Sequence, residues 1–308
     1  MPSPAPSTPS TPSDPRLPVR FVQVTGVARL TPHMARVSFG GPDLAGFALD
    51  GPAQQVKLYF PRPGQSAPRL PAPGDATEAD VMRWYTAFQA IPEDERPWTR
   101  SYTVRAHRPE QTEIDVDFVL HDKGGPATRW AAAARPGDTL GMYGPSAYFA
   151  EPFALDAADW LLLAGDESAL PAIGALLEAL PEGARAVAYI EIPEAADEQR
   201  FGPSFGARNE ATVHWLHRDA AGAGHGELLV EAVRAALLPA GAGAAWLGGE
   251  AGAVRELRRH LLDARGLERR AVHFCGHWRR ALTQDDAPTP EDLAEARERL
   301  ADAQARTA

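Results

Sequence analysis

Arg100-Ser101-Tyr102-Thr103-Val104-Arg105 decides how this chain is read. It lies between a proline-bearing approach, Arg96-Pro97-Trp98, and a clean β pattern, Ile114-Asp115-Val116-Asp117-Phe118-Val119-Leu120. From Arg100 to Thr103 it sets a permanent cation, an aromatic face and two hydroxyls on an extended backbone. Alternation sends Arg100 and Tyr102 to one face and Ser101 and Thr103 to the other, unless the strand twists or ends there. These groups suit a planar ligand that carries phosphates. A guanidinium forks onto a pyrophosphate, a phenol lies against a ring system, and hydroxyls reach ring heteroatoms. Taken alone, the six residues read more simply as a strand with a paired arginine.

Around this run, Val19 to Tyr143 is a series of short strands and turns. Arg20–Val27, Ala35–Phe39, Gln54–Phe60, Arg100–Arg105, Glu113–Leu120 and Thr139–Tyr143 carry β-branched or aromatic residues between Gly/Pro/Asp clusters. Six strands with one short helix near Ala127–Ala134 fit a small antiparallel barrel. Residues 61–98 interrupt it with a proline-rich loop and a helical turn at Ala79–Phe88, a length that suits a lid or an insertion. From Asp159 the rhythm becomes strand, helix, strand. Trp160–Ala164 is a buried-strand run, and Leu170, Ile173, Leu176, Leu177 and Leu180 then fall on one helical face. Ala186–Ile192, Thr212–Leu216, Ala244–Leu247 and Ala271–Phe274 follow as strands, with helices near Glu227–Leu238 and Ala251–Leu262. Alternating β and α elements imply a parallel sheet covered on both faces. The expected division is a tail at 1–18, a barrel domain at 19–152, an α/β domain at 153–280 and an extension at 281–308, with the boundary inside 150–158.

At each end the chain is polar. Residues 1–18 are mostly Pro, Ser and Thr and cannot bury enough surface to offset chain entropy, so disorder is expected. In the extension, Thr289 suits an N-cap, Pro290 the first helical position and Asp292 the acidic first turn. The helix that follows is charged almost all round and reads as a surface helix lying on the body.

Composition narrows the function. A chain of 308 residues with 44% hydrophobic and 23% charged residues reads as globular, with room for two domains. The longest apolar run is far too short to span a bilayer, and the start lacks the basic and apolar regions of a signal peptide. Cys275 is the one cysteine, which rules out an intrachain disulfide and a thiolate-ligated iron–sulfur cluster. A reducing cytoplasm fits these features. A net charge of −10 argues against a nucleic-acid partner, although local arginines can still gather a small anion. No His/Cys/carboxylate set has recognisable metal-ligand spacing, so no resident metal is expected.

Beyond the strand pattern come His121-Asp122-Lys123-Gly124-Gly125-Pro126-Ala127-Thr128-Arg129-Trp130, then Arg135-Pro136-Gly137-Asp138 and Gly144-Pro145. Asp159-Trp160-Leu161-Leu162-Leu163-Ala164-Gly165-Asp166-Glu167-Ser168, Trp246-Leu247-Gly248-Gly249-Glu250 and Gly276-His277-Trp278-Arg279 continue the series. Together these blocks resemble the siderophore-interacting protein family of flavin-dependent ferric-siderophore reductases, with a ferredoxin-reductase-like fold. The resemblance spans about residues 19–280, in the family's order. It implies a β + α/β architecture: a six-stranded antiparallel FAD-binding barrel, then a parallel-sheet nicotinamide-nucleotide domain.

The resemblance also distributes roles. Arg100 meets the FAD pyrophosphate, Tyr102 packs on the isoalloxazine, and Ser101 and Thr103 supply hydroxyls, Thr103 near N5. His121 ends its strand near the cofactor's phosphates or adenine, where a plain surface histidine fits nearly as well. Gly125, Pro126, Ala127 and Thr128 open a helix whose free amides and dipole favour a phosphate. Asp166 and Ser168 follow the first parallel strand at the position where open sheets bind ligands, and either also suits a helix cap. Arg218 follows a strand end where a cation pairs with the 2′-phosphate of NADPH; a plain surface arginine is the alternative. Gly249 and Glu250 border the nicotinamide site. His277 and Trp278 stand where the fold covers its flavin with an aromatic residue. The family usually has Tyr at the position of His277 and a Gly soon after Arg279, where this chain reads Arg280-Ala281-Leu282. Lys57, Arg129 and Arg279 lie in flavin-associated segments and are candidates for gathering an anionic ferric siderophore; solvated surface charge is the alternative.

The implied reaction is a relay in which NADPH reduces FAD and single electrons then reach Fe(III) held by the siderophore. Fe(II) is bound far more weakly by hard oxygen ligands, so reduction frees it. No acid–base side chain is required, and no catalytic residue is assigned. Reduced ferredoxin is an alternative donor. A general flavin reductase or ferredoxin-type electron-transfer protein with another acceptor, and a flavin-carrying siderophore binder without reductase activity, are the alternative functions.

Overall fold

The computed structural model describes residues 19–72, 78–121, 124–145, 153–156, 158–202, 205–206, 209–280, 282, 289–291, 293–294 and 297. The expected tail, Asp122, Lys123, part of the 150–158 boundary and most of the C-terminal extension lie outside these residues.

The first half is one antiparallel sheet of seven strands. They are β1 (Val19–Thr31), β2 (Met34–Gly40), β3 (Gln55–Phe60), β4 (Trp98–Thr103), β5 (Ala106–Arg108), β6 (Glu113–Val119) and β7 (Thr139–Tyr143). Their order is β4-β3-β7-β1-β2-β6-β5. All six expected strands are present; β5 is added, three residues too short to show a period. Only Val104 and Arg105 separate β4 from β5, yet these strands sit at opposite ends of the order, so the sheet must curl until its edges meet. Arg105 N–H donates to Asp115 O at 2.8 Å across that seam.

β6 shows why the pattern folds this way. Ile114, Val116 and Phe118 alternate into a core completed by Val37, Phe39, Leu58, Phe60, Leu140 and Met142. Each such side chain contributes about 1.5–3 kcal/mol on burial. Asp115 and Asp117 point the other way but are also buried, because arginines cover them. Arg36 forks onto Asp117 at 2.7 and 2.9 Å, and Arg108 reaches Asp115 at 2.7 and 2.6 Å.

The 61–98 insertion carries α1 (Glu78–Gln89). Trp84 and Phe88 from this helix pack edge-on against Tyr59 of β3, at 5.8 and 5.4 Å between ring centres. The shorter α2 (Pro126–Ala133) places Ala127 and Ala131 in the barrel core and stacks Trp130 on Phe39 at 6.0 Å.

The second half is a parallel sheet of β8 (Trp160–Asp166), β9 (Arg185–Ile192), β10 (Glu210–His217), β11 (Gly243–Glu250) and β12 (Val272–Trp278). Its order is β10-β9-β8-β11-β12. On one face, α3 (Leu170–Glu178) sets Leu170, Ile173, Leu176 and Leu177 against Leu161, Leu163 and Ile190. Then come α4 (Arg218–Ala221), α5 (Glu227–Ala235) and α6 (Ala251–Asp263), the last two covering the other face through Leu229, Val233, Leu257 and Leu261. The strand order reverses between β8 and β11, which makes their carboxyl ends the natural ligand crevice. The two halves share apolar surface: Met34 is buried in the same cluster as α3. In the extension, Leu293 N–H donates to Thr289 O at 3.0 Å, while Asp292 lies outside the described residues.

Candidate functional site

β4 carries the first group of site residues. Arg100 is half-buried opposite Leu58, with its Nη1 donating to Thr99 O at 2.7 Å. Ser101 is exposed and pairs with Lys57, and Lys57 also faces Tyr143 on the far side of β3. Burial holds the Lys57 ammonium below the usual lysine range. Thr103 is buried opposite Gln55, although Ser101 is exposed. The simple two-sided alternation therefore ends at Thr103, where the chain turns toward the barrel seam.

Tyr102 also packs inward. Its ring leans on Phe118 at 4.4 Å and Phe60 at 6.3 Å, so at least part of its aromatic surface belongs to the barrel core. Burial pushes its phenol far above the ordinary tyrosine value, with Arg100 opposing weakly. The physical reason is the neighbouring aromatic cluster, which alternation along β4 alone does not reveal.

α2 lies beside this strand: Trp130 leans on Phe60 and Phe118, the pair that Tyr102 also touches. Gly125 caps the helix with no side-chain hydrogen bond, Pro126 takes the first helical position, and the space beside the Gly125 Cα is open. The helix therefore presents amides to its mouth instead of spending them on a capping side chain. That donor set, with a guanidinium on the adjacent strand, fits a pyrophosphate. Thr128 Oγ1 donates inward to Val119 O at 3.3 Å, and Arg129 Nη1 folds back onto Gly124 O at 2.7 Å. His121 is exposed at the start of the same loop.

In the parallel half, Asp166 is the hub. It is buried and its carboxylate accepts from Ser168 N–H (2.9 Å), Ser168 Oγ (2.5 Å), Glu250 N–H (2.8 Å) and Trp278 Nε1 (2.8 Å). The ends of β8, β11 and β12 are thereby tied to one side chain. Gly249 makes room for it: φ is +126° and a Cβ there would stand 2.6 Å from Asp166 Oδ2. Glu250 turns inward as well and caps α6 by accepting from Ala253 N–H at 2.9 Å. Asp166 and Glu250 act within the fold as organisers of the crevice.

His277 bridges the halves. Its Nδ1 lies 3.1 Å from Ser168 O, and its Nε2 lies 3.3 Å from Gln55 Nε2 on β3. Burial disfavours the imidazolium, but Cys275, the nearby Asp166 and Ser168 O outweigh it, and the net shift is upward. Trp278 meets His225 edge-on at 5.1 Å. Arg279 forms an isolated bridge with Leu282. Gln55 gave no signal in the sequence; only β3–β4 pairing, which sets it opposite Thr103, brings it to this seam.

Arg218 is drawn into the fold. Its guanidinium, 7% exposed, is held by Glu167 at 3.0 and 3.1 Å and by Glu191 at 3.2 Å. It is an internal counter-ion, and two carboxylates already answer the charge expected to face a phosphate. Burial, then Asp166, raises the Glu167 carboxyl, while Arg218 opposes them.

A curled antiparallel sheet beside an open helix mouth, followed by a parallel sheet with its crevice at the seam, is a ferredoxin-reductase-like fold. The chain belongs to the siderophore-interacting protein family. Residues 23–149 match the family model for the siderophore-interacting FAD-binding domain, and residues 158–281 match that for siderophore-interacting protein. A solved siderophore utilization protein from T. fusca is 38% identical, with a TM-score of 0.72 over 88% of this chain and 96% of the other. Ferric vibriobactin reductase ViuB from Vibrio cholerae is 31% identical, the match covering 83% of this chain and 88% of ViuB. The NADPH-dependent ferric-chelate reductase of Escherichia coli is 29% identical over 84% of this chain and 92% of that protein.

Proposed function

We propose that this protein is an NADPH-dependent flavoprotein that reduces Fe(III) held by a siderophore and so releases Fe(II). One observation carries the reading: nearly full-length similarity to a ferric vibriobactin reductase and to an NADPH-dependent ferric-chelate reductase, across both halves. We assign 19–152 to the flavin and 153–280 to the nicotinamide nucleotide. FAD supplies the chemistry that side chains lack, accepting two electrons together and releasing them singly.

The protein's own residues bind, orient and shield. Arg100 and the amides opening α2 would hold the pyrophosphate, and Thr103 with Gln55 would line the edge of the flavin ring where β3 and β4 end. Tyr102 would contribute through whatever edge its contacts with Phe60 and Phe118 leave available. Ser168, Gly249 and His277 border the seam through which the nicotinamide would approach. Lys57 and Arg279 are the cations best placed to gather an anionic ferric chelate; Arg129, turned back onto Gly124 O, acts on the phosphate loop. Among the described residues no helix is long and apolar enough to cross a membrane. We propose the cytoplasm, where NADPH is at hand, as the compartment of the reaction.

The test is spectroscopic. Purified protein should be yellow, bleach on anaerobic mixing with NADPH, and regain colour when a ferric siderophore is added with an Fe(II) trap that develops in parallel. Arg100→Ala should lose flavin about 10–100-fold more readily, the worth of a charge-assisted contact. A preparation that stays colourless after incubation with FAD ends the proposal.

A further inference from the structure

The other buried carboxylates among the described residues each have an evident answer to their charge. Asp115 and Asp117 have arginines, Glu191 has Arg218 and two N–H donors, Asp166 has its four donors, and Glu250 caps α6. Asp197 is answered by an imidazole, a side chain that also ligates metal ions. It is 4% exposed, and among the described residues only His33 reaches its carboxylate, through its backbone N–H to Oδ1 at 3.0 Å and through Nδ1 at 2.7 Å from Oδ2. Among the described residues no arginine or lysine pairs with it. With two contacts from His33, a carboxylate still has lone pairs that a metal ion can take.

A third group stands beside these two. Glu194 begins the short turn that ends at Asp197, is exposed, and has no side-chain partner among the described residues. One ligand atom from each of His33, Glu194 and Asp197 lies within 4.8 Å of the other two. His33 belongs to the β1–β2 hairpin of the antiparallel half, whereas the two acids follow β9 of the parallel half. Sequence spacing cannot reveal such a set, because the fold joins positions about 160 residues apart.

We infer that His33, Glu194 and Asp197 form a binding site for a divalent first-row transition ion, bridging the two halves. One imidazole nitrogen with two carboxylate oxygens suits Mn(II), Fe(II) or Zn(II), and the imidazole disfavours Ca(II) and Mg(II). Asp197 is the fixed inner ligand and Glu194 the solvent-side ligand through which the ion enters. The ion replaces the proton between His33 Nδ1 and Asp197 Oδ2, adds positive charge beside two carboxylates, and leaves further positions to water. Its bound state pins the hairpin to the end of β9. The site is independent of the flavin reading and stands or falls by itself.

The experiment uses the tag-free full chain as purified, freed of metal with a chelator and titrated with MnCl2. Loss of the free Mn(II) resonance reads binding, and thermal melts with and without the ion read its mechanical effect. The expected result is saturable binding of one ion per chain with a higher melting temperature. Glu194→Gln and His33→Ala should each weaken it about 10-fold or more. If His33→Ala folds poorly, Glu194→Gln decides alone, since that side chain is exposed and carries no packing. No saturable binding up to millimolar MnCl2, or an affinity unchanged by Glu194→Gln, overturns the site.

Discussion

Arg105 of the antiparallel half and Glu178 at the end of α3 meet in a two-toothed ion pair, Nη1–Oε2 and Nη2–Oε1 both at 2.7 Å. Arg105 lies two residues past the end of β4, its backbone N–H closes the barrel seam on Asp115, and its side chain is 9% exposed. Gly174 lets it pass, since a Cβ there would stand 3.2 Å from Arg105 Nε. Glu178 also accepts from Gly202 N–H at 2.8 Å. One cation thus ties the strand expected to hold flavin to the sheet expected to hold nicotinamide.

Glu178→Gln should cost about 1.5–3 kcal/mol, the worth of charge-assisted hydrogen bonds, read from the denaturant midpoint at neutral pH. Burial works to raise the Glu178 carboxyl, but Arg105, Gly202 N–H and Arg36 outweigh it and the net shift is downward. A depressed folded value means the stabilisation is complete above the ordinary carboxylate value and fades as pH falls through the folded one. The gap between wild type and Glu178→Gln should therefore close only in acid, below about pH 4.5. A gap independent of pH would mean that the pair contributes no charge-linked stability.

His277 gives the opposite sign. Its folded value lies above the ordinary imidazole value, so its contribution is complete below about pH 6.5 and is lost as pH rises through the folded value. Burial alone would lower that value; Cys275, Asp166 and Ser168 O reverse it. Cys275→Ala should consequently move the His277 titration midpoint downward, as followed by NMR of the ring protons. An unchanged midpoint would remove Cys275 from the account.

The crevice should be brittle at Gly249. Alanine there meets both a positive φ of +126° and the Asp166 carboxylate. A loss of about 2–4 kcal/mol is expected, combining backbone strain with displacement of a buried acceptor. Asp166→Asn should be nearly as damaging, because the new amide nitrogen is a donor facing donors. Thermal melts should separate Gly249→Ala from Gly64→Ala, which shares the strain of a positive φ (+86°) but whose added Cβ would meet nothing within 4 Å, so the difference between the two reads the clash with Asp166.

Much of this was legible in the chain itself, because the relevant physics is local. Alternation in Ile114–Leu120 and helical spacing from Leu170 to Leu180 report burial directly, and the glycine–proline opening of α2 reports its uncapped end. Three features were not legible for the opposite reason. β5 is too short to show a period. The inward lean of Tyr102 depends on Phe60 and Phe118, which reach it only after strands pair. The seam contacts Arg105–Glu178 and Gln55–His277 join residues remote in sequence, so only the packing of one half on the other creates them.

Arg218 shows how a correct residue type at a correct strand end can serve another purpose. The sequence places a cation just after β10, where a nucleotide phosphate is expected, but Glu191 arrives at the end of β9 and Glu167 just after β8, and all three meet below the crevice. Glu191 is 0% exposed and also holds Gly226 N–H and Leu229 N–H at 2.7 and 3.1 Å, so its charge cannot turn outward. Removing the cation leaves that carboxylate unpaired, and Arg218→Ala should destabilise the fold by about 3–5 kcal/mol. Arg218→Lys should recover part of this, since an ammonium keeps the charge but cannot span both acids. If the pair is structural, the ratio of NADPH to NADH turnover in Arg218→Lys stays at the wild-type value while its melting temperature falls. A selective loss of NADPH turnover at unchanged stability would instead return Arg218 to the nucleotide.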